Sequence, residues 1–298
     1  MSGSADHRPV ASVRVPARVD FAGGWTDVRY FAEREGGLVL NAAIDRYVEG
    51  HAEWSANRFH LEYTLDLPSG SHLGTSSAGD VAWLALTYGI IGKRPSAEEL
   101  AEGAYRLEKL LGIEGGKQDG YAAAFGGVNL LRFGKADEPA IVERLSVPEA
   151  TLAALEARCV LCYLGLEEAA DRVHTLVWQR YREGDPDVAA ALRDLRDSVV
   201  PARDALLAGD LPELARLMSF NRDTVRRLHP AAVTPRMDAL FQAGEAAGAI
   251  GAKACGGGGG GCLLFIAGDA GPDAIKQALK QLGADIVDFR FDRQGPTF

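Results

Sequence analysis

The stretch 67-LPSGSHLGTSSAGDVAWLALTYGI-90 decides how this chain reads. Pro68, Gly70 and Gly74 sit among small hydroxyl residues, and Val81, Leu84, Ala85 and Tyr88 then recur at three- and four-residue steps. That spacing predicts a buried helix beginning near Thr75 or Ser76. A glycine-rich turn emptying into a helix start is a ready anion site, because the first amides lack helical partners and the positive end of the helix dipole faces the same way. Glycine lets the main chain approach a phosphate where a Cβ would obstruct it. Serine and threonine hydroxyls there suit a phosphate oxygen or a magnesium ion. A plain small-residue turn ahead of a core helix accounts for the same letters.

The rest of the chain narrows the choice. Its 298 residues, 47% hydrophobic and 24% charged, suit a soluble globular protein, with two medium domains favoured over one large one. A net charge of −9 without a basic cluster argues against a nucleic-acid binder. No apolar run reaches the roughly 18–20 residues of a membrane span, and MSGSADHRPVASV has no hydrophobic signal region. Four cysteines do not make a disulfide scaffold. The expectation is a cytoplasmic protein.

In order, residues 1 to 10 are polar and expected to be disordered, and SVRVPARVDFAGG predicts a half-buried strand through Val13, Val15 and Val19. Trp25, Thr26 and Asp27 follow on a loop, where Asp27 reads either as a cap for the next helix or as a functional carboxylate. A short helix, a Gly36-Gly37 turn, an extended stretch and a strand at 57–67 come next. Ser96 with Glu99 fits a capping box for a helix whose stripe is Leu100, Ala104, Leu107, Leu110 and Leu111, with Glu108 near its end. A glycine-rich bend then carries Asp119, by itself a turn or cap residue, ahead of a strand at 128–133. A shift in composition places a domain boundary near 150.

Beyond it, a buried strand is expected at 158–165, with Cys159 and Cys162 on opposite faces, a packing pair rather than a metal or redox pair. Helices are expected near 167–183, 186–200, 211–219 and 234–248, the last with Thr234 as N-cap and Pro235 at N1. His174 on the first is either packed, exposed or functional. Lys253 precedes six glycines, Gly256 to Gly261, which stop at an apolar strand, 262–266; a backbone passing close to a ligand or another loop explains them better than a linker does. A helix at 272–282 and a strand at 285–292 end an α+β pattern.

No Walker motif, Ser-His-Asp set or HExxH motif is present, and the six-glycine run matches GxGxxG only trivially, its place between a helix and the strand after it late in the chain arguing against a dinucleotide fold. Three stretches, PARVDFAGGWTD at 16–27, LPSGSHLGTSSA at 67–78 and GAKACGGGGGGC at 251–262, instead resemble in order the three motifs of the GHMP kinases. AGGWTD, GLVLNAAID and KQDGYAAAFGG are most similar to fucokinase and the bacterial heptose-phosphate kinases. The resemblance implies a two-domain α+β fold: a ribosomal-protein-like domain over 1–150 with the phosphate loop, and a ferredoxin-like domain over 151–298.

It also implies ATP and magnesium. The phosphate loop would be Gly70, Ser71, His72, Leu73, Gly74, Thr75, Ser76 and Ser77, with Ser76 or Ser77 and Glu108 on the metal. Asp119 matches the catalytic aspartate and Arg18 its basic partner; Asp27 with Gly24 and Trp25, and Gly257 and Gly258 of the third motif, would hold substrate. The implied reaction is phosphorylation of the anomeric hydroxyl of a fucose-, heptose- or related higher sugar, free or already a sugar phosphate, with placed amides, a metal and one arginine spreading the transferred charge. A kinase for a non-sugar alcohol such as homoserine, threonine or mevalonate, and an inactive sugar- and ATP-binding sensor, are the alternatives. The partner is a small-molecule sugar, with neither nucleic acid nor membrane. Lys117 and Arg29 are the cations that could meet an acceptor phosphate, if they are not simply surface charge. His72 stands where the motif has glycine, Gly120 where the heptose kinases often have glutamine, and the stretch between Ile44 and Pro68 is short for a sugar kinase.

Overall fold

A computed structural model describes residues 10–55, 58–68, 70–165 and 170–298. The expectation for the first ten residues falls almost wholly outside them, as does the start of the helix expected at 167. The first half runs β1 (Val10–Ala22), α1 (Arg29–Glu35), β2 (Gly37–Ser55), β3 (Arg58–Leu65), α2 (Thr75–Ile90), α3 (Ala97–Leu110), α4 (Gln118–Phe125), β4 (Val128–Phe133) and β5 (Ile141–Arg144). The second runs α5 (Glu149–Arg158), β6 (Cys159–Tyr163), α6 (Ala170–Arg182), α7 (Pro186–Asp197), α8 (Val199–Ala208), α9 (Leu211–Leu228), α10 (Pro235–Ala246), β7 (Ala249–Ala254), β8 (Cys262–Ala267), α11 (Asp273–Gln281) and β9 (Asp285–Val287).

Two antiparallel sheets organise these elements. One has the order β1-β2-β4-β5 with β3 on β2, the other β7-β8-β6-β9. The chain's end returns to the first sheet, where Phe291 bridges Ile44 and Thr297 bridges Arg14.

β1 is buried on both faces from Val15 to Ala22, more deeply than the half-buried strand its alternation suggested. Val13 and Val15 pack with Ala78, Val81 and Ala85 of α2, while Ala17, Val19 and Phe21 pack with Leu206, Met218 and Leu264 of the second half. The strand is thus covered by helices on one side and by the second half on the other. The polar side chains it sends inward, Arg18 and Asp20, must find partners there.

Several expectations are corrected in detail. The stripe of α3 is Leu100, Ala101, Ala104, Tyr105 and Glu108, whereas Leu110 and Leu111 are 84% and 71% exposed on a last turn that runs past the buried face. The helix expected at 186–200 restarts at Val199, because Pro201 in a continuous helix would lack an amide and clash with the carbonyl four residues back. The helix expected at 211–219 runs on to Leu228, and β9 is three residues rather than eight. β5 and α5 fall in a stretch whose polarity hid them. Cys159 and Cys162 face different core clusters, as strand geometry requires, and all four cysteines are free and buried.

Candidate active site

The phosphate-loop stretch reaches α2 through Gly74, whose left-handed conformation (φ +73°) leaves the helix start without a side-chain cap. The first-turn amides of α2 therefore point outward with the positive end of the helix dipole. A Cβ on Gly74 would lie 3.2 Å from the Asp119 side chain and 3.3 Å from that of Arg18, so glycine lets the loop lie directly against that pair. His72 also has positive φ, +58°, a conformation that costs a side chain about 1–2 kcal/mol. Its ring turns onto the six-glycine loop, where a Cβ on Gly261 would come 2.7 Å from Cγ. The histidine thus packs between two loops and also lines the cleft.

Asp119 lies in the first turn of α4. Arg18, 3% exposed on β1, donates from Nε at 2.8 Å and stands 2.7 Å away through Nη2, both to Asp119 Oδ1. Its Nη1 donates to the carbonyl of His72 at 2.8 Å. One guanidinium therefore joins β1, the loop that carries His72 and α4. Burial works against the charged guanidinium, but Asp119 and Asp20 outweigh it and raise its pKa further.

Asp27 does not cap α1, whose N-cap is Val28. It caps α4 instead: Gln118 N donates to Asp27 Oδ2 at 3.0 Å and Gln118 Nε2 to Oδ1 at 3.4 Å. The reading of Asp27 as a cap for the next helix is thus overturned, and its side chain also lines the cleft. A Cβ on Gly116 would lie 1.8 Å from Oδ2, which explains the glycine beside it. Burial pushes the Asp27 carboxyl up to about 7, against the pull of the Gln118 amide and with the charge of Asp119.

Glu108 on α3 accepts from Ser77 Oγ at 2.5 Å. Burial pushes it too up to about 7, opposed by the Ser77 bond and reinforced by Asp119, Asp80 and Asp27. Gly120 lies against Ala101 and Ala104 of α3, so the missing glutamine does not alter the cleft wall here.

The third motif arrives between β7 and β8. A Cβ on Gly258 (φ +78°) would meet the Ala232 carbonyl at 2.4 Å, and Gly259 N donates to that carbonyl at 2.8 Å. This is the close approach to another loop that six glycines suggested. Lys253 and Asp20 then supply a contact the sequence reading missed. Lys253 Nζ donates to Asp20 Oδ2, to the Asp20 carbonyl at 3.0 Å and to the Ala254 carbonyl at 2.8 Å. Asp20 Oδ1 accepts from Gly256 N at 3.1 Å. Burial would raise the Asp20 carboxyl, but Lys253 and Arg18 hold it below its ordinary range. The signal was the one lysine of the third motif and one of the two aspartates of the first, 233 residues apart.

Together these parts wall a cleft of about 800 Å³. Arg18, Asp27, His72, Ser76, Ser77, Glu108, Asp119, Trp25, Gly257 and Gly258 all line it. Gly24 lies in a smaller cavity behind Trp25. Trp25 stacks on His174 with ring centroids 5.2 Å apart, and Trp178 Nε1 donates to His174 Nε2 at 3.0 Å, so His174 is both packed and part of the wall. Lys117 is buried rather than on the surface, and is held by Glu102 at 2.7 Å and the Glu138 carbonyl at 2.8 Å.

Comparison with known proteins agrees with this architecture. The family described as "GHMP kinases N terminal domain" matches residues 38–127 and "GHMP kinases C terminal" matches 202–285. The D-glycero-alpha-D-manno-heptose 7-phosphate kinase of Campylobacter jejuni is 25% identical over 95% of this chain and 96% of its own. The Arabidopsis thaliana bifunctional fucokinase/GDP-fucose pyrophosphorylase is 26% identical over 87% of this chain but 30% of its own. A crystal structure of a D-glycero-D-manno-heptose 1-phosphate kinase from Bacteroides thetaiotaomicron aligns with TM-score 0.78 and 25% identity over 97% of this chain and 98% of that one. The chain belongs to the GHMP kinases and is an ATP-dependent kinase. Among the described residues no helix is long and apolar enough to cross a membrane.

Asp27 makes stability depend on pH. Its folded pKa lies above the ordinary value, so its contribution is fully present below about pH 4 and is lost as pH rises through about 7. Asp27→Asn should flatten that slope: wild type should lose more melting temperature than the variant between pH 5 and pH 8. Parallel melting curves for the two proteins would remove this account of Asp27.

Proposed function

We propose that this enzyme transfers the γ-phosphoryl group of ATP to the anomeric C1 hydroxyl of a fucose-, heptose- or related higher sugar. The observation that carries the reading is the Arg18–Asp119 pair at the meeting of the glycine loops, beside Asp27 and facing one cleft. The names of the C. jejuni and A. thaliana relatives support a sugar as acceptor. The two sheets support a division into two domains near residue 150.

Both Arg18 contacts fall on Asp119 Oδ1, so Oδ2 is the oxygen clear of the guanidinium. In the proposed reaction Oδ2 takes the proton of the acceptor hydroxyl as that oxygen bonds to the γ-phosphorus. The bond from phosphorus to the β,γ-bridging oxygen breaks and ADP leaves. An anomeric hydroxyl is more acidic than an ordinary alcohol, so a carboxylate suffices as base. The amides from Gly70 to Ser77 hold the ATP phosphates, and Asp27 accepts hydrogen bonds from sugar hydroxyls. Trp25 and the Gly257-Gly258 segment close the sugar pocket.

Magnesium suits the residues present. Ser77 Oγ and Glu108 present hard oxygen donors side by side, and Ser76 lies on the same wall. Among the described residues no three His, Cys, Asp or Glu side chains gather into a metal cage. Magnesium bound with a nucleotide needs few protein ligands, because phosphates and water complete its shell. Arg18 is the one lysine or arginine among the described cleft residues, against Asp27, Glu108, Glu114 and Asp119. A cleft with that balance favours ATP accompanied by a divalent cation. Held by Ser77 and Glu108, magnesium would supply charge neutralisation at the β- and γ-phosphates.

The test is ADP release from Mg-ATP against free and phosphorylated sugars, with homoserine, threonine and mevalonate included, and phosphorus NMR of the product. Turnover of one sugar with an anomeric phosphate in the product supports the proposal. Turnover of mevalonate or an amino-acid alcohol alone would overturn it.

A further inference from the structure

Gln118 opens α4 immediately before Asp119 and lines the cleft, although it is only 6% exposed. Both of its backbone polar groups are held. The N–H donates to Asp27 Oδ2 at 3.0 Å, and the carbonyl accepts from Asn41 Nδ2 at 3.5 Å. The side chain reaches the same aspartate, with Nε2 donating to Oδ1 at 3.4 Å. Turning the amide over would set its oxygen against a carboxylate oxygen, so Asp27 fixes which end is which. The other end, Oε1, is buried and finds no donor among the described residues. Asn41 and Asn129 each carry a buried Oδ1 in the same condition, but neither of them lines the cleft.

A buried acceptor without a donor is costly, and one in a cleft wall can be satisfied by what enters the cleft. We propose that Gln118 Oε1 accepts a hydrogen bond from the sugar hydroxyl next to the reacting one, the C2 hydroxyl, and so sets the enzyme's requirement at that carbon. The inference rests on the sugar-kinase reading and deepens it. Successive Cα atoms lie about 3.8 Å apart, so Gln118 and Asp119 can meet neighbouring atoms of one ligand. With C1 at Asp119, the ring neighbours are C2 and the ring oxygen, and only C2 bears a hydroxyl. Oε1 accepts and cannot donate, so a hydroxyl satisfies it and a hydrogen does not. A site built around such a bond rejects the analogue lacking it far more strongly than an apolar pocket rejects a missing methylene.

The experiment compares L-fucose, D-mannose and D-glycero-D-manno-heptose, the last also as its 7-phosphate, each with its 2-deoxy analogue. It uses wild type, Gln118→Met and Gln118→Glu, reading kcat/KM and, by calorimetry, binding of each sugar. Wild type should prefer the 2-hydroxy form by roughly ten- to hundred-fold, the size expected for a buried acceptor left unpaired. Gln118→Met should shrink that preference to a few-fold, because no acceptor remains to be stranded. Gln118→Glu keeps an oxygen there, with a proton shared with Asp27 in place of the Nε2 bond, and should keep the preference. A purely structural Gln118 would lower kcat/KM equally for both members of a pair. That equality, or a wild type indifferent to the C2 hydroxyl, would overturn the contact while leaving a sugar kinase intact. The wild-type comparison decides this even where Gln118→Met fails to fold. If no sugar is turned over, the kinase reading fails and calorimetry decides the contact. A 2-hydroxy preference in binding that Gln118→Met removes supports it; no preference, or no binding, overturns it.

Discussion

Asp119→Asn should lower kcat by about 10³-fold or more, within the range for loss of a positioned base, while the dissociation constants for ATP and sugar stay within a few-fold of wild type. Asparagine keeps the shape of the side chain and an oxygen for Arg18, so the contacts at 2.7 and 2.8 Å can persist in weakened form. What disappears is the carboxylate oxygen that takes the hydroxyl proton in the proposed reaction. The guanidinium then holds a positive charge beside the transferred phosphoryl group with no neighbouring base, a balance that disfavours chemistry more than binding. Single-turnover kinetics with calorimetry separates the two. Full turnover in the variant would remove the catalytic assignment, and loss of sugar binding with unchanged kcat would make Asp119 a binding residue.

Lys253→Met should be the most destabilising of these changes. It leaves Asp20, 0% exposed, with a hydrogen bond from Gly256 N and a more distant Arg18 at 3.7 Å. Removing one partner of a buried pair costs about 3–5 kcal/mol, because the other charge remains buried and uncompensated. For a chain of this size that is a fall in Tm of roughly 10 °C. Asp20→Asn in the same chain should restore most of the loss, since the stranded charge is then gone. Equal melting temperatures for wild type and Lys253→Met would show that Asp20 does not depend on the lysine. The double variant also probes the join between the first and third motifs, because Asp20 holds both Lys253 and the amide that opens the glycine run.

The contrast between these two sites shows where sequence reasoning reached. Asp119, Arg18 and Asp27 stand in recognisable motifs, Glu108 was carried over by the resemblance, and the structure brings all four to one cleft. Lys253 and Asp20 are equally embedded in motifs, yet nothing local marks them as partners. Arg29 read as surface charge or phosphate ligand, and only the structure shows that it meets Tyr30 and Glu114.

The sequence by itself determined what is set by neighbours along the chain. The start of α2 at Thr75, the capping box of Ser96 with Glu99, the Thr234-Pro235 helix start and the glycine turns all follow from backbone chemistry within a few residues. The order of the three glycine-containing motifs carried the resemblance to the family. Tertiary structure alone decided the rest. It set which turn of α3 stays in water, and it buried β1 on both faces. It assigned Asp27 to the start of α4 rather than α1, and it paired Lys253 with Asp20. Each of these depends on side chains tens or hundreds of residues apart meeting in a low-dielectric interior. There an unpaired charge is costly enough to dictate its partner, and that cost has no trace in local spacing.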